Sequence, residues 1–179
     1  MGREDQGVAD LRGRYLVIPR TLCFITYGDD VLLLRGAPNK RIWPNRYNGI
    51  GGHVGPEEDV YTSALREIRE ETGLEVTDLR LRGVVNVCPS PGRVGVFLFV
   101  FTARALGREV RSSAEGTPEW VSRDRIGELD LVEDLPILLP RVLEMEPDAS
   151  PFFAHYTYDE DDRLVVRFQP PGGRERPVP

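Results

Sequence analysis

The chain is short of the residues that staple or anchor a small protein. Its 179 residues hold two cysteines, Cys23 and Cys88, both in apolar surroundings and without metal-ligand spacing. They read as two buried free thiols, so neither a disulfide framework nor a thiolate-held metal organises this fold. No stretch approaches the roughly 18 apolar residues that cross a bilayer. The N-terminal MGREDQGVADLRGR has no apolar segment of a signal peptide. Positive charge is in deficit, with 23 Lys and Arg against 29 Asp and Glu and a net charge of −6. That balance argues against a broad nucleic-acid footprint or an anionic membrane surface. The expectation is a cytoplasmic protein with no membrane or nucleic-acid partner, monomeric or homodimeric.

What is present suits one folded domain. Hydrophobic residues make up 40% and charged residues 29%, an ordinary globular balance. A polar leader is expected over residues 1–13, one domain over 14–169, and a flexible tail, PPGGRERPVP, over 170–179. TLCFITY (21–27) and VLLLR (31–35) flank a Gly-Asp-Asp turn and predict a β-hairpin. Residues 36–49 predict a loop, rich in proline, glycine and asparagine. A helix is expected over 56–72, with acidic residues at its positive end, Gly73 as its left-handed cap, and Tyr61, Ala64, Leu65 and Ile68 as its apolar face. Strands follow at 79–87, 93–104 and 119–121, the second of them apolar enough to be buried on both faces. A helix near 133–145 and a final hairpin around DEDD complete the chain. Interleaved strands and helices of this kind predict an α/β (α+β) sandwich with a central mixed sheet.

One stretch raises a physical question. YNGIGGHVG, residues 47–55, holds four glycines, and REIREE, residues 66–71, crowds charge onto the helix beyond it. Glu67, Glu70 and Glu71 stand at i, i+3 and i+4, so three carboxylates share one helical face. Such like charges repel by a few tenths of a kcal/mol even when exposed. A stripe of hard oxygen donors suits Mg²⁺ or Mn²⁺, with water and substrate phosphate completing the shell. A solvated acidic helix that binds nothing is the plainer alternative. Gly51 and Gly52 would let backbone approach that face, and Arg66 would orient the carboxylates.

The spacing adds more. Gly52, five residues, Glu58, seven residues and then REIREETGL (66–74) resemble the Nudix box at its defining positions. The resemblance implies a mixed sheet between helices and a metal-dependent hydrolase of nucleoside diphosphates linked to another group. It further implies metal ligation by Glu67, Glu70, Glu71 and the Gly51 carbonyl, orientation by Glu58 and Arg66, and Glu67 as first candidate for the base. AEGTPEW (114–120) is similar to a MutT-type segment, one residue shorter, and offers Glu115 as a further metal ligand or base. Trp120 there either packs the sheet or stacks on a base. The YNG at 47–49 resembles a base-reading segment of oxidised-purine triphosphatases, making Asn48 either a base contact or a turn residue. Glu133 and Asp134 fall where such enzymes read the base edge, or else they cap the next helix. The tryptophan that usually precedes that acidic pair is absent, with Leu131 and Val132 in the region. His53, where many members carry lysine, either approaches a phosphate or closes the loop. Arg35, Lys40, Arg41 and Arg46 form a local basic group that could guide polyphosphate. The leading expectation is a nucleoside triphosphate pyrophosphohydrolase. The alternatives are an ADP-ribose or dinucleoside polyphosphate pyrophosphatase and a non-catalytic nucleotide-binding domain.

Overall fold

The computed structural model describes residues 11–90, 92 and 94–169. Most of the expected leader and the whole expected tail lie outside the described residues. Strands β1 (Val17–Tyr27) and β2 (Asp30–Gly36) form the expected hairpin. They are followed by a two-residue strand β3 (Tyr47–Asn48), helix α1 (Val60–Thr72), β4 (Val76–Val87), β5 (Gly95–Ala105) and β6 (Gly116–Ser122). A 3₁₀ turn (Arg123–Glu128), helix α2 (Leu135–Leu143), β7 (Phe152–Tyr158) and β8 (Leu164–Phe168) complete the order. One mixed sheet runs β3-β2-β1-β5-β4-β7-β8, with β6 also paired to β2. β1 pairs parallel to β5 and β4 parallel to β7, whereas the β1–β2, β4–β5 and β7–β8 pairs are antiparallel.

The layers follow from alternation along the strands. In β1, Leu22 and Phe24 face one side while Cys23 and Ile25 face the other. In β2, Val31 and Leu33 separate in the same way from Leu32 and Leu34. The first set packs against Leu135, Leu138, Leu139 and Val142 of α2, the second against Ala64 and Ile68 of α1. A sheet with apolar residues on both faces needs a helix on each, and this chain supplies one apiece.

Four expectations need correction. Helix α1 begins at Val60, because Asp59 takes the N-cap and its carboxylate accepts from the Tyr61 and Thr62 amides. Its buried face is Ser63, Ala64, Ile68, Glu71 and Thr72, while Tyr61 and Leu65 are exposed. Continuous burial on both faces belongs to β1 and β2, whereas β5 is largely half-buried. Cys88 is half-buried, and only Cys23 is fully enclosed. Gly73 does close α1, with φ 76° and its amide bonded to the Arg69 carbonyl. No helix among the described residues is long and apolar enough to cross a membrane.

Candidate active site

The glycine segment is a strand in all but name. It runs antiparallel along the first half of β1, where β2 does not pair. The Thr21 and Cys23 amides donate to the Gly52 and Ile50 carbonyls at 2.9 and 2.6 Å. Between those two, the Gly51 carbonyl takes no part in the pairing. The Gly51 amide instead donates to Glu71 Oε2 at 3.1 Å, stitching this segment to α1. Gly51 sits at φ 153°, and a β-carbon there would strike the Thr21 carbonyl. At Gly52 a β-carbon would strike the Glu67 carboxylate. Both positions therefore exclude side chains, the first by conformation as well as space.

Arg66 is the hub of the acidic helix. Its guanidinium donates to Glu58 at 2.7 and 3.1 Å, to Glu67 and Glu70 at 2.9 Å each, and to the His53 carbonyl at 3.2 Å. That fork geometry is one lysine cannot copy. Glu58 also accepts from the Gly55 amide at 2.8 Å. Hydrogen bonds from Arg66 and then from Gly55 hold its carboxyl down to about 2. Glu70 lies on the outer side, its side chain 60% exposed.

Glu71 behaves differently from its neighbours. It is only 5% exposed. Burial pushes its carboxyl up to about 7, against the Gly51 amide, with the Glu67 and Glu115 charges adding to the rise. Burial, and then the Glu71 and Glu67 charges, push the Cys23 thiol upward, which makes it unreactive. Among the described residues no three acidic, histidine or cysteine side chains converge tightly enough to hold an ion as they stand. The chemistry of the donors nevertheless fits a hard divalent cation. Glu67 and Glu115 both repel Glu71 through a partly buried space, and Lys40 opposes them there.

Two adjoining cavities surround this arrangement. The polar one is lined by Lys40, Arg41, Arg46, Glu71 and Glu115. Lys40 reaches Glu115 at 2.7 Å, and Arg46 reaches Asp130 at 3.1 Å. The apolar one, on the α2 side, is lined by Leu22, Val87, Val96, Leu98 and Leu164, with Glu133, Asp134, Tyr156 and Tyr158 at its polar edge. Arg20, Trp43, Asn48, Gly49 and Gly51 line both. Asn48 serves two ends at once, because its side-chain oxygen accepts from the Gly49 amide at 2.8 Å while the residue lines both cavities. Asp134 occupies the N-cap of α2 without a side-chain capping bond, so capping does not account for it. Burial pushes its carboxyl up to about 6, with the Glu133 charge also raising it.

Some sequence-level candidates lie elsewhere. Arg35 is exposed and lines neither cavity; it stands near Tyr47, whose hydroxyl donates to Glu119 at 2.8 Å. His53 is exposed and lines neither cavity, contributing its carbonyl to Arg66 and Ser63. Trp120 packs edge-on to Tyr27 and donates to the Arg108 carbonyl at 2.9 Å, a structural role. Sequence reasoning passed over Arg20, Trp43, Tyr156 and Tyr158. Trp43 carried a usable signal, an aromatic beside Pro44 in a polar loop, and it adopts φ 55°, a strained conformation for a bulky residue.

Comparison with known proteins agrees with this geometry. The family model described as NUDIX domain matches residues 18–142. The chain is 29% identical over 147 residues to the oxidized purine nucleoside triphosphate hydrolase of Mus musculus, covering 81% of this chain and 89% of that protein. It is 38% identical to the NAD-capped RNA hydrolase NudC of Pseudomonas aeruginosa (strain LESB58) over 68 residues, 38% of this chain and 23% of that one. Among solved structures, a MutT protein from Bacillus halodurans matches with a TM-score of 0.71 at 25% identity, covering 85% of this chain and 97% of that chain. The match spans well over half of the chain and includes the glycine segment, the acidic helix and α2. The chain therefore belongs to the Nudix family and is a hydrolase of phosphoanhydride bonds.

Proposed function

We propose that this hydrolase cleaves a nucleoside triphosphate with Mg²⁺, or Mn²⁺, as its cation. The observation that carries the reading is the pair of cavities meeting at Asn48 and Gly51, one apolar with an acidic edge and the other basic and acidic. A flat heterocycle suits the first, and a polyphosphate neutralised by cations suits the second. Length and identity against the mouse triphosphate hydrolase support the same substrate class, whereas the NudC similarity covers less than a quarter of that protein.

In this reading Glu67, Glu70, Glu71 and the Gly51 carbonyl would hold the cation, with Glu115 as a further ligand. When bound, such a cation neutralises phosphate charge and lowers the pKa of an attacking water. Arg66 keeps Glu67 and Glu70 aligned, which leaves Glu67 positioned to accept a proton from that water. Lys40 releases Glu115 and turns to substrate phosphate, together with Arg41 and Arg20. Asn48, Glu133 and Asp134 meet the base. Arg35 and His53, candidates from sequence, take no part.

The test is a comparison of kcat/KM across nucleoside triphosphates, oxidised purine triphosphates and ADP-ribose. A nucleoside triphosphate should lead. A marked preference for ADP-ribose would overturn the assignment.

A further inference from the structure

Tyr156 is 2% exposed, and its hydroxyl is the one buried side-chain polar atom among the described residues with no hydrogen-bond partner. The residue stands on β7 and lines the apolar cavity that Asp134 also lines; burial, and then the Asp134 charge, raises its phenol. Tyr158, two residues on and on the same strand face, is exposed, so water can serve its hydroxyl. A phenylalanine at position 156 would fill the same core space without enclosing an unpaired O–H. A buried polar group left unpaired is costly, and its retention calls for a partner that the protein itself does not supply.

We propose that Tyr156 is a specificity-determining residue, its hydroxyl donating to a ring carbonyl of the bound base while Asp134 accepts from the adjacent ring N–H. This deepens the triphosphatase reading and rests on it. A hydroxyl donor and a carboxylate acceptor lining one cavity match a lactam edge, C=O next to N–H, and mismatch an amino-substituted ring whose edge reverses those roles. The cavity thereby selects 6-oxopurines over 6-aminopurines. A site whose buried polar groups are left unpaired by the wrong ligand discriminates far better than shape alone.

Inosine and adenosine triphosphates differ only at that edge, which makes them the probes. Wild type should favour inosine triphosphate by about tenfold or more in kcat/KM, mostly through KM. Tyr156→Phe should lose most of that preference while keeping kcat and its melting temperature. No preference in wild type, or an unchanged preference in Tyr156→Phe, overturns the proposal. So does a fall in Tm without a change in base ranking, which would make the hydroxyl purely structural. If wild type hydrolyses no nucleoside triphosphate, the triphosphatase reading falls separately. Tyr156 is then judged by calorimetric affinity for inosine and adenosine monophosphates, where equal discrimination by both proteins overturns it.

Discussion

The two cavities are built by different means from a shared wall. The acidic wall beside the polar one is local: Gly51, Gly52 and the acidic face of α1 come from a single run of about twenty residues, stitched by the Gly51–Glu71 hydrogen bond and by Arg66, while Lys40, Arg41, Arg46 and Glu115 reach the cavity from other segments. The apolar one is assembled from afar, with β1, β4, β5, β7, β8 and the start of α2 each contributing between one and three residues. Local construction fixes chemistry tightly, because glycine, arginine and glutamate are each held by named bonds. Distributed construction leaves selectivity open to change, since any one lining residue can vary without disturbing the others.

Substitutions that separate the two cavities should produce effects of decreasing size. Gly51→Ala combines a disfavoured φ with a clash at the Thr21 carbonyl. It should cost about 1–3 kcal/mol of stability and nearly all activity, as read by denaturant unfolding and steady-state rates. Arg66→Lys keeps the charge and loses the fork, so kcat should fall about 10- to 100-fold with KM little changed. A KM effect alone would mean that Arg66 binds substrate directly. Asn48→Ala should act through the shared wall, raising KM about 3- to 10-fold and altering the ranking of bases more than kcat. An equal loss with every base would reduce Asn48 to a turn residue.

The smallest effect is thermal and depends on pH. Asp134 has a folded value of about 6, above that of an ordinary carboxylate near 4, so its charged form is favoured in the unfolded chain. Its protonated form therefore supports the fold at low pH, and that support is lost as pH rises from about 4 to about 6. Asp134→Asn should match wild type in melting temperature near pH 4 and exceed it above pH 6. A constant difference across that range would mean that the group titrates normally.

The same contrast explains what was legible in the sequence. Glycine spacing and the i, i+3, i+4 carboxylates marked the polar cavity, since close approach and charge clustering leave a local pattern. The hairpin and the Gly73 cap were equally plain because turn chemistry is local. The apolar cavity was only half visible. Asn48, Glu133 and Asp134 were found by resemblance, but Tyr156 looked like any aromatic of a core strand, and its unpaired hydroxyl exists only once β7 lies beside α2. Arg20 was hidden in the same way: nothing in its neighbours tells that β1 passes between two cavities. Arg35 and His53 line neither cavity, and basic residues near a glycine loop carry no information about strand face. Position 35 follows the alternation of β2 away from the acidic helix.

Glu70 offers the cleanest probe of the central claim that the acidic helix is a cation-dependent catalytic device. Its carboxylate is exposed and its hydrogen bond comes from Arg66 at 2.9 Å, so Glu70→Gln removes charge while leaving an acceptor and the fold in place. With saturating nucleoside triphosphate and Mg²⁺, its turnover should fall by on the order of 10²-fold or more while its melting temperature stays unchanged. Undiminished hydrolysis under those conditions would contradict the account.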